Sequence, residues 1–151
     1  MKDLLIYQLI PHREPMLLID KVLHVAADSA SAEVHITADS PFFMAPTGVP
    51  AWIGIEYMGQ TAALIAGHQL QQGLTKPHLG FLLGTRQYQI HVPYFADGDI
   101  LQVSCTQAAL SGDQLAQFSC EISRGGELCA TAKLTVFRKP VTAPDQENTT
   151  L

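Results

Sequence analysis

The chain has 151 residues, 47% apolar and 15% charged, a composition that excludes a disordered polymer and suits one domain with a core of useful size. Nine Lys and Arg against fourteen Asp and Glu give a formal net charge of -5, and the cations are too scattered to form a phosphate-binding stripe, so no nucleic-acid partner is expected. The three cysteines, Cys105, Cys120 and Cys129, are odd in number and lack CxxC spacing; this disfavours a zinc site or a disulfide framework and indicates buried free thiols in a reducing compartment.

Residues 2–9 place apolar side chains at helical spacing and predict a short helix, and Pro11 and Pro15 then bracket a turn. Residues 16–25 are rich in apolar and β-branched types and read as a strand or a loop leading into one. Residues 29–37 read as its partner, because Ala32, Val34 and Ile36 alternate with Glu33, His35 and Thr37. Residues 41–50 hold three prolines and a glycine and cannot be regular structure. The longest helix is expected over 51–72, with Pro50 suited to its first turn and Gly73 to its C-terminal cap. It is apolar over most of its circumference, the pattern of a helix buried on nearly all sides. Gly54, Gly59, Ala62, Ala63 and Ala66 are small enough to let strands approach.

The second half predicts four antiparallel strands, over 79–92, 100–110, 114–123 and 127–139, joined by turns at Ala96–Asp99, Ser111–Asp113 and Arg124–Gly126. One buried helix wrapped by a single antiparallel sheet explains both the all-round apolar helix and the alternating strands, and gives an α+β fold. The domain is expected over 1–139 and a disordered tail over 140–151. No run is long and apolar enough to span a membrane and no export signal is legible, so a cytoplasmic location is expected.

Glu56 is the anomaly. A carboxylate near the start of an apolar helix is costly to bury without a partner or a task, and buried carboxyl groups can act as acids or bases near neutral pH. The bland alternative is that Glu56 faces water or stabilises the positive end of the helix.

Four stretches carry a resemblance. Residues 11–20, Pro-His-Arg-Glu-Pro-Met-Leu-Leu-Ile-Asp, resemble the opening signature of the 3-hydroxyacyl-acyl-carrier-protein dehydratases of fatty acid synthesis. Pro41-Phe42-Phe43 resembles that family's approach to its central helix, and residues 49–60 resemble the helix itself, with Glu56 at the catalytic acid position and Gln60 at the glutamine that follows it. Asp97-Gly98-Asp99 resembles the turn into the later strands, and the likeness covers about 8–138. It implies a hot-dog fold, one antiparallel sheet wrapped around a long central helix, that dimerises side by side. It also implies an acyl thioester on a pantetheine arm, carried by acyl carrier protein or CoA, and an acid–base pair drawn from opposite protomers. Pro50, Ala51 and Trp52, where helix-start amides would polarise the thioester carbonyl, are the expected substrate-binding residues together with Gln60. No metal or cofactor is expected.

The chain departs from the family at one point. The family's histidine lies in a Gly-His-Phe-Pro-Gly loop ahead of the helix; here the loop is Met44-Ala45-Pro46-Thr47-Gly48, shorter and without histidine, and Ala51 stands where the family has a glycine. His12 belongs to the opening motif and reads as structural. His35 and His91 read as solvent-facing, His24 as a candidate for burial, His78 as a loop residue, and His68 lies roughly 18 Å along the helix axis from Glu56. Small accessory dehydratase-like proteins of aryl-polyene clusters are similar in keeping the motif without the loop histidine. Three readings follow: a dehydratase subunit that gives Glu56 to a mixed dimer whose histidine comes from a dehydratase homologue; a hot-dog thioesterase using the lone carboxylate; and a non-catalytic acyl-binding or scaffolding subunit. The assembly is expected as a homodimer or as a heterodimer with that histidine-bearing homologue.

Overall fold

A computed structural model of the chain describes residues 2–75, 78–111 and 114–140. The expected tail over 140–151 lies, apart from Pro140, outside the described residues; Pro140 closes the last strand.

The first helix, α1 (Leu4–Leu9), begins at Asp3, whose side chain accepts a hydrogen bond from the Leu5 amide at 3.0 Å and so satisfies one of the donors a helix start leaves open. It stops at Ile10, which is extended, one residue before Pro11. Strand β1 (Lys21–Val25) takes the second half of the stretch 16–25, and residues 16–20 form an irregular arm leading into it, the second of the two expected alternatives. Strand β2 (Ser29–His35) follows and pairs with it antiparallel. The proline-rich stretch contains a bridge between Met44 and Gly48, then a two-residue strand β3 (Val49–Pro50). Residues Ala51–Ile53 make one tight 3-10 turn and α2 (Gly54–Gln71) continues from it, so the expected helix over 51–72 is present with a tightened first turn. Strands β4 (His78–Ile90), β5 (Tyr94–Phe95), β6 (Ile100–Ser111), β7 (Leu115–Arg124) and β8 (Glu127–Pro140) complete the chain.

Six strands form one sheet in the order β1-β2-β6-β7-β8-β4, with antiparallel pairing throughout. Its inner face is supplied by alternate residues: Ala30, Ala32 and Val34 on β2, Leu101, Val103 and Cys105 on β6, Phe118, Cys120 and Ile122 on β7, and Leu134 on β8 are all buried. Tyr57, Met58, Ala62, Leu64 and Ile65 of α2 are buried in the same core. The expected architecture, one antiparallel sheet around a long central helix in an α+β fold, is what the chain adopts. The three cysteines are buried free thiols.

The expectation that all the small helix residues admit strands was wrong in part. A Cβ at Gly54 would lie 2.5 Å from the Tyr88 hydroxyl and 2.8 Å from Ile122 Cδ1, so the strands do close on the helix there. A Cβ at Gly59 would meet nothing within 4 Å. Gly67, outside that set, receives α1: a Cβ there would sit 1.9 Å from the Leu9 carbonyl oxygen. The short β3–β5 pair, with Val49 opposite Phe95 and Pro50 opposite Tyr94, was not legible in the sequence; it pins the entry to α2. Gly48 makes this possible: its φ is +139° and a Cβ would stand 2.3 Å from the Phe95 carbonyl oxygen.

Candidate active site

Glu56, Gln60, Ala63 and Gly67 are spaced at i, i+4, i+7 and i+11 and therefore form one stripe along α2. The chain from Leu9 to Ile19 docks along this stripe. At one end Leu9 rests on Gly67. At the other, Gln60 takes hold of the arm: its Oε1 accepts from the amides of Leu18 at 2.8 Å and Ile19 at 3.4 Å, and its Nε2 donates to the Met16 carbonyl at 2.7 Å. The same Nε2 donates to Glu56 Oε1 at 3.0 Å, which fixes the carboxylate's orientation one turn nearer the helix start. Gln60 is wholly buried and Glu56 half-buried.

Gln60 was expected to bind substrate, but its amide is committed to four protein partners, and its place is behind the carboxylate. Gln60→Leu keeps the volume but strands the buried Leu18 amide and the part-buried Met16 carbonyl. We expect a loss of about 2–3 kcal/mol in urea unfolding, because unsatisfied buried groups cost about 1–3 kcal/mol each.

The helix start differs from expectation as well. Pro50 has no N–H, and the Ala51 amide is not free: it donates to the Pro93 carbonyl at 3.0 Å. The Ala51 carbonyl accepts from the Tyr88 hydroxyl, whose pKa burial pushes up to about 12, so Tyr88 stays a donor at neutral pH. Trp52 is 62% exposed and Pro50 and Ala51 are buried, which leaves the Trp52 ring as the accessible feature of this end. Met16, Phe42 and Met44, on the arm and loop that flank the helix start, are also exposed.

The histidines divide clearly. His35 and His91 are exposed as expected; His24, expected as a candidate for burial, is exposed too, because β1 is an edge strand. His78 opens β4 rather than lying in a loop. His12, read as structural, lies in the arm docked on the Glu56 stripe. Its Nδ1 is buried and finds no hydrogen-bond partner among the described residues. Burial holds its pKa below the ordinary histidine value; the Glu56 carboxylate pulls in the opposite direction, and Arg13 adds to the lowering. Sequence spacing could not reveal this position, since His12 is brought to α2 only by the docking of the arm.

Arg13 stiffens the arm by donating to the carbonyls of Ile10 at 2.9 Å, His12 at 2.7 Å and Tyr7 at 3.1 Å, with its guanidinium 5.1 Å above the Tyr7 ring. Among the described residues no group of three or more His, Cys, Asp or Glu could hold a metal ion, and no helix is long and apolar enough to cross a membrane. A cleft of about 420 Å³ takes in Glu14, Asp20, Asp39 and Tyr57 but not Glu56.

A family model described as ApeP-like, ApeP dehydratase, matches residues 4–149. The chain is 32% identical over 136 residues to the 3-hydroxyacyl-[acyl-carrier-protein] dehydratase FabZ of Chlamydia pneumoniae, covering 83% of this chain and 78% of that one. It is 28% identical over 143 residues to FabZ of Agrobacterium fabrum, covering 89% and 88%. Among solved structures it resembles the dehydratase heterocomplex ApeI:P from Xenorhabdus doucetiae, with a TM-score of 0.81, 26% identity and 95% of both chains covered.

Proposed function

The chain belongs to the ApeP-like dehydratase family, and on that premise we propose that it is a subunit of a 3-hydroxyacyl-thioester dehydratase that lends Glu56 to a site completed by a second, histidine-bearing dehydratase chain. One observation carries this reading. Glu56 is held in place by the buried Gln60, while the loop leading to α2, closed by the Met44–Gly48 bridge, contains no histidine. In the reaction the partner's base removes the C2 proton of the acyl thioester. Glu56, as the acid, protonates the C3 hydroxyl. The C3–O bond breaks, water leaves, and the electron pair from the C2–H bond becomes the new double bond. The acyl group would arrive on a pantetheine arm, from acyl carrier protein or CoA, near the exposed Trp52.

Two features support a partner chain. Strand β4 is the longer of the sheet's two edge strands, with 13 residues, so its outer backbone groups form a template on which a second chain can extend the sheet. Trp52, Met16, Phe42 and Met44 also leave apolar surface at the mouth. The similar solved structure is itself named a dehydratase heterocomplex. The relatives' names favour dehydration over the thioesterase alternative.

Reconstitution tests the reading. The isolated chain should dehydrate a 3-hydroxyacyl-thioester at background rate, and mixing with the dehydratase homologue from the same host should give an active complex that co-elutes in gel filtration. Full activity of the isolated chain would refute the need for a second histidine.

A further inference from the structure

We propose that Tyr88 is a positioning residue that ties the edge strand β4 to the start of α2, so that a second chain docked on β4 fixes the helix that carries Glu56. This rests on the reading of the protein as one half of a composite dehydratase. In that reading the site is completed by a chain on the far side of the edge. The helix and the edge must then be held in a fixed relation, and Tyr88 is the side chain that joins them.

A bulge in the edge strand aims the residue. Between Arg86 and Gln89, β4 takes three steps where β8, from Lys133 to Thr131, takes two, so β4 carries one extra residue. Gln87 accommodates it in the left-handed region, at φ 58°, a conformation that a residue with a Cβ adopts at a cost. Gln87 and Gln89 are exposed, and Tyr88 between them turns the other way, half-buried against the core. Its hydroxyl donates to the Ala51 carbonyl. The ring tip fits because residue 54 is glycine: a Cβ there would lie 2.5 Å from the Tyr88 oxygen.

Ala51 is thereby held on both sides of its backbone by one stretch of chain, its carbonyl by Tyr88 and its amide by the Pro93 carbonyl at 3.0 Å. The next two residues, Tyr94 and Phe95, pair with Pro50 and Val49. The start of α2 therefore hangs from residues 88–95, a run that begins in the edge strand. Glu56 lies roughly 8 Å further along a stiff helix, so a shift at Ala51 reaches the carboxylate. A strand with one free side and a left-handed residue has slack, and pairing with a second chain removes it; Tyr88 carries that order to Ala51. Because burial pushes the Tyr88 pKa up to about 12, this bond persists across the neutral range and Tyr88 exchanges no proton in the reaction.

The test uses Tyr88→Phe, which keeps the ring and removes the hydroxyl. The Ala51 carbonyl retains the Gly54 amide as a donor, so the fold is kept. In the reconstituted complex kcat should fall about 10-fold, the scale of a small misplacement of a reacting group, with KM and the affinity for the second chain little changed and the pH profile unaltered in shape. Hydrogen exchange gives a readout that needs no turnover. Adding the second chain should slow exchange at the Ala51 and Gly54 amides of the wild type, and that slowing should be largely lost in Tyr88→Phe although the complex still forms. A Tyr88→Phe complex that turns over at the wild-type rate, or whose Ala51 and Gly54 amides gain the same protection as the wild type's, overturns the inference and leaves the composite site standing. A wild-type chain fully active alone, or a complex indifferent to Glu56→Gln, removes the composite-site reading itself and the role of Tyr88 with it.

Discussion

Glu56→Gln in the reconstituted complex should lower kcat by about 100-fold or more, with KM little changed. The substitution is nearly isosteric. Its side-chain carbonyl can still accept from Gln60 Nε2, so the bond now measured at 3.0 Å survives and the arm stays docked. On the proposed reading, what disappears is the exchangeable proton that Glu56 gives to the C3 oxygen. Because the change removes an interaction required in the transition state rather than one that holds ground-state substrate, the loss belongs in kcat. Steady-state kinetics with unfolding curves for both proteins separate this from a stability effect. A complex with Glu56→Gln that turns over normally would make this chain a scaffold.

The second large effect is on stability. Gly67→Ala places a Cβ 1.9 Å from the Leu9 carbonyl oxygen, 2.7 Å from its carbon and 3.0 Å from its Cα. All three are backbone atoms, so no side-chain rotation relieves the clash and α1 must be displaced. Helix propensity pulls the other way, since Ala is favoured over Gly by about 1 kcal/mol in a helix interior. Overpacking costs typically about 1–3 kcal/mol and more when backbone must move, so the clash prevails and we expect a net loss of about 2 kcal/mol or more in urea unfolding. Gly59→Ala is the control with opposite sign. A Cβ there meets nothing within 4 Å, so the isolated chain should gain up to about 1 kcal/mol. If Gly67→Ala were neutral, the close seating of α1 on α2 would be wrong.

Local signals carried most of the fold. Alternation in β6 and β7 reports which side meets the core, because Leu101, Val103, Phe118 and Ile122 are buried for the same reason that they alternate. The long helix announces itself through an apolar circumference that only an enclosing sheet can satisfy. Residues 16–20 left strand and loop both open because their apolar side chains look strand-like, and they form the loop. Leu17, Leu18 and Ile19 are indeed buried, yet the Leu18 and Ile19 amides go to the Gln60 side chain instead of a neighbouring strand. The β3–β5 pair is only two residues on each side, too short for any periodicity to show.

At the site, Glu56 stood out as a charge in apolar company. Gln60 could be noticed, but not its role, because that role is made by partners far away in sequence. The expected free amides at Pro50–Trp52 assumed an ordinary helix start; the Pro93 carbonyl takes up the Ala51 amide, and the tight first turn takes up the Gly54 amide. His12 looked like part of a motif and nothing more, since only the folded arm brings it beside α2.

The Gln60 side chain spans two scales of folding. Its bond to Glu56 crosses four residues and could form in a lone helix, whereas its bonds to Met16, Leu18 and Ile19 cross 44, 42 and 41. Without the distant set, Gln60 is free to rotate, and the local bond is one weak option among several. The carboxylate is therefore fixed in place only after the amino-terminal arm has closed on the helix. Local opening of that arm, which need not disturb the sheet, releases it again. On the proposed reading of Glu56 as the acid, activity would report the completion of a long-range contact, and a copy whose sheet and helix are intact but whose arm has lifted would be folded and inactive.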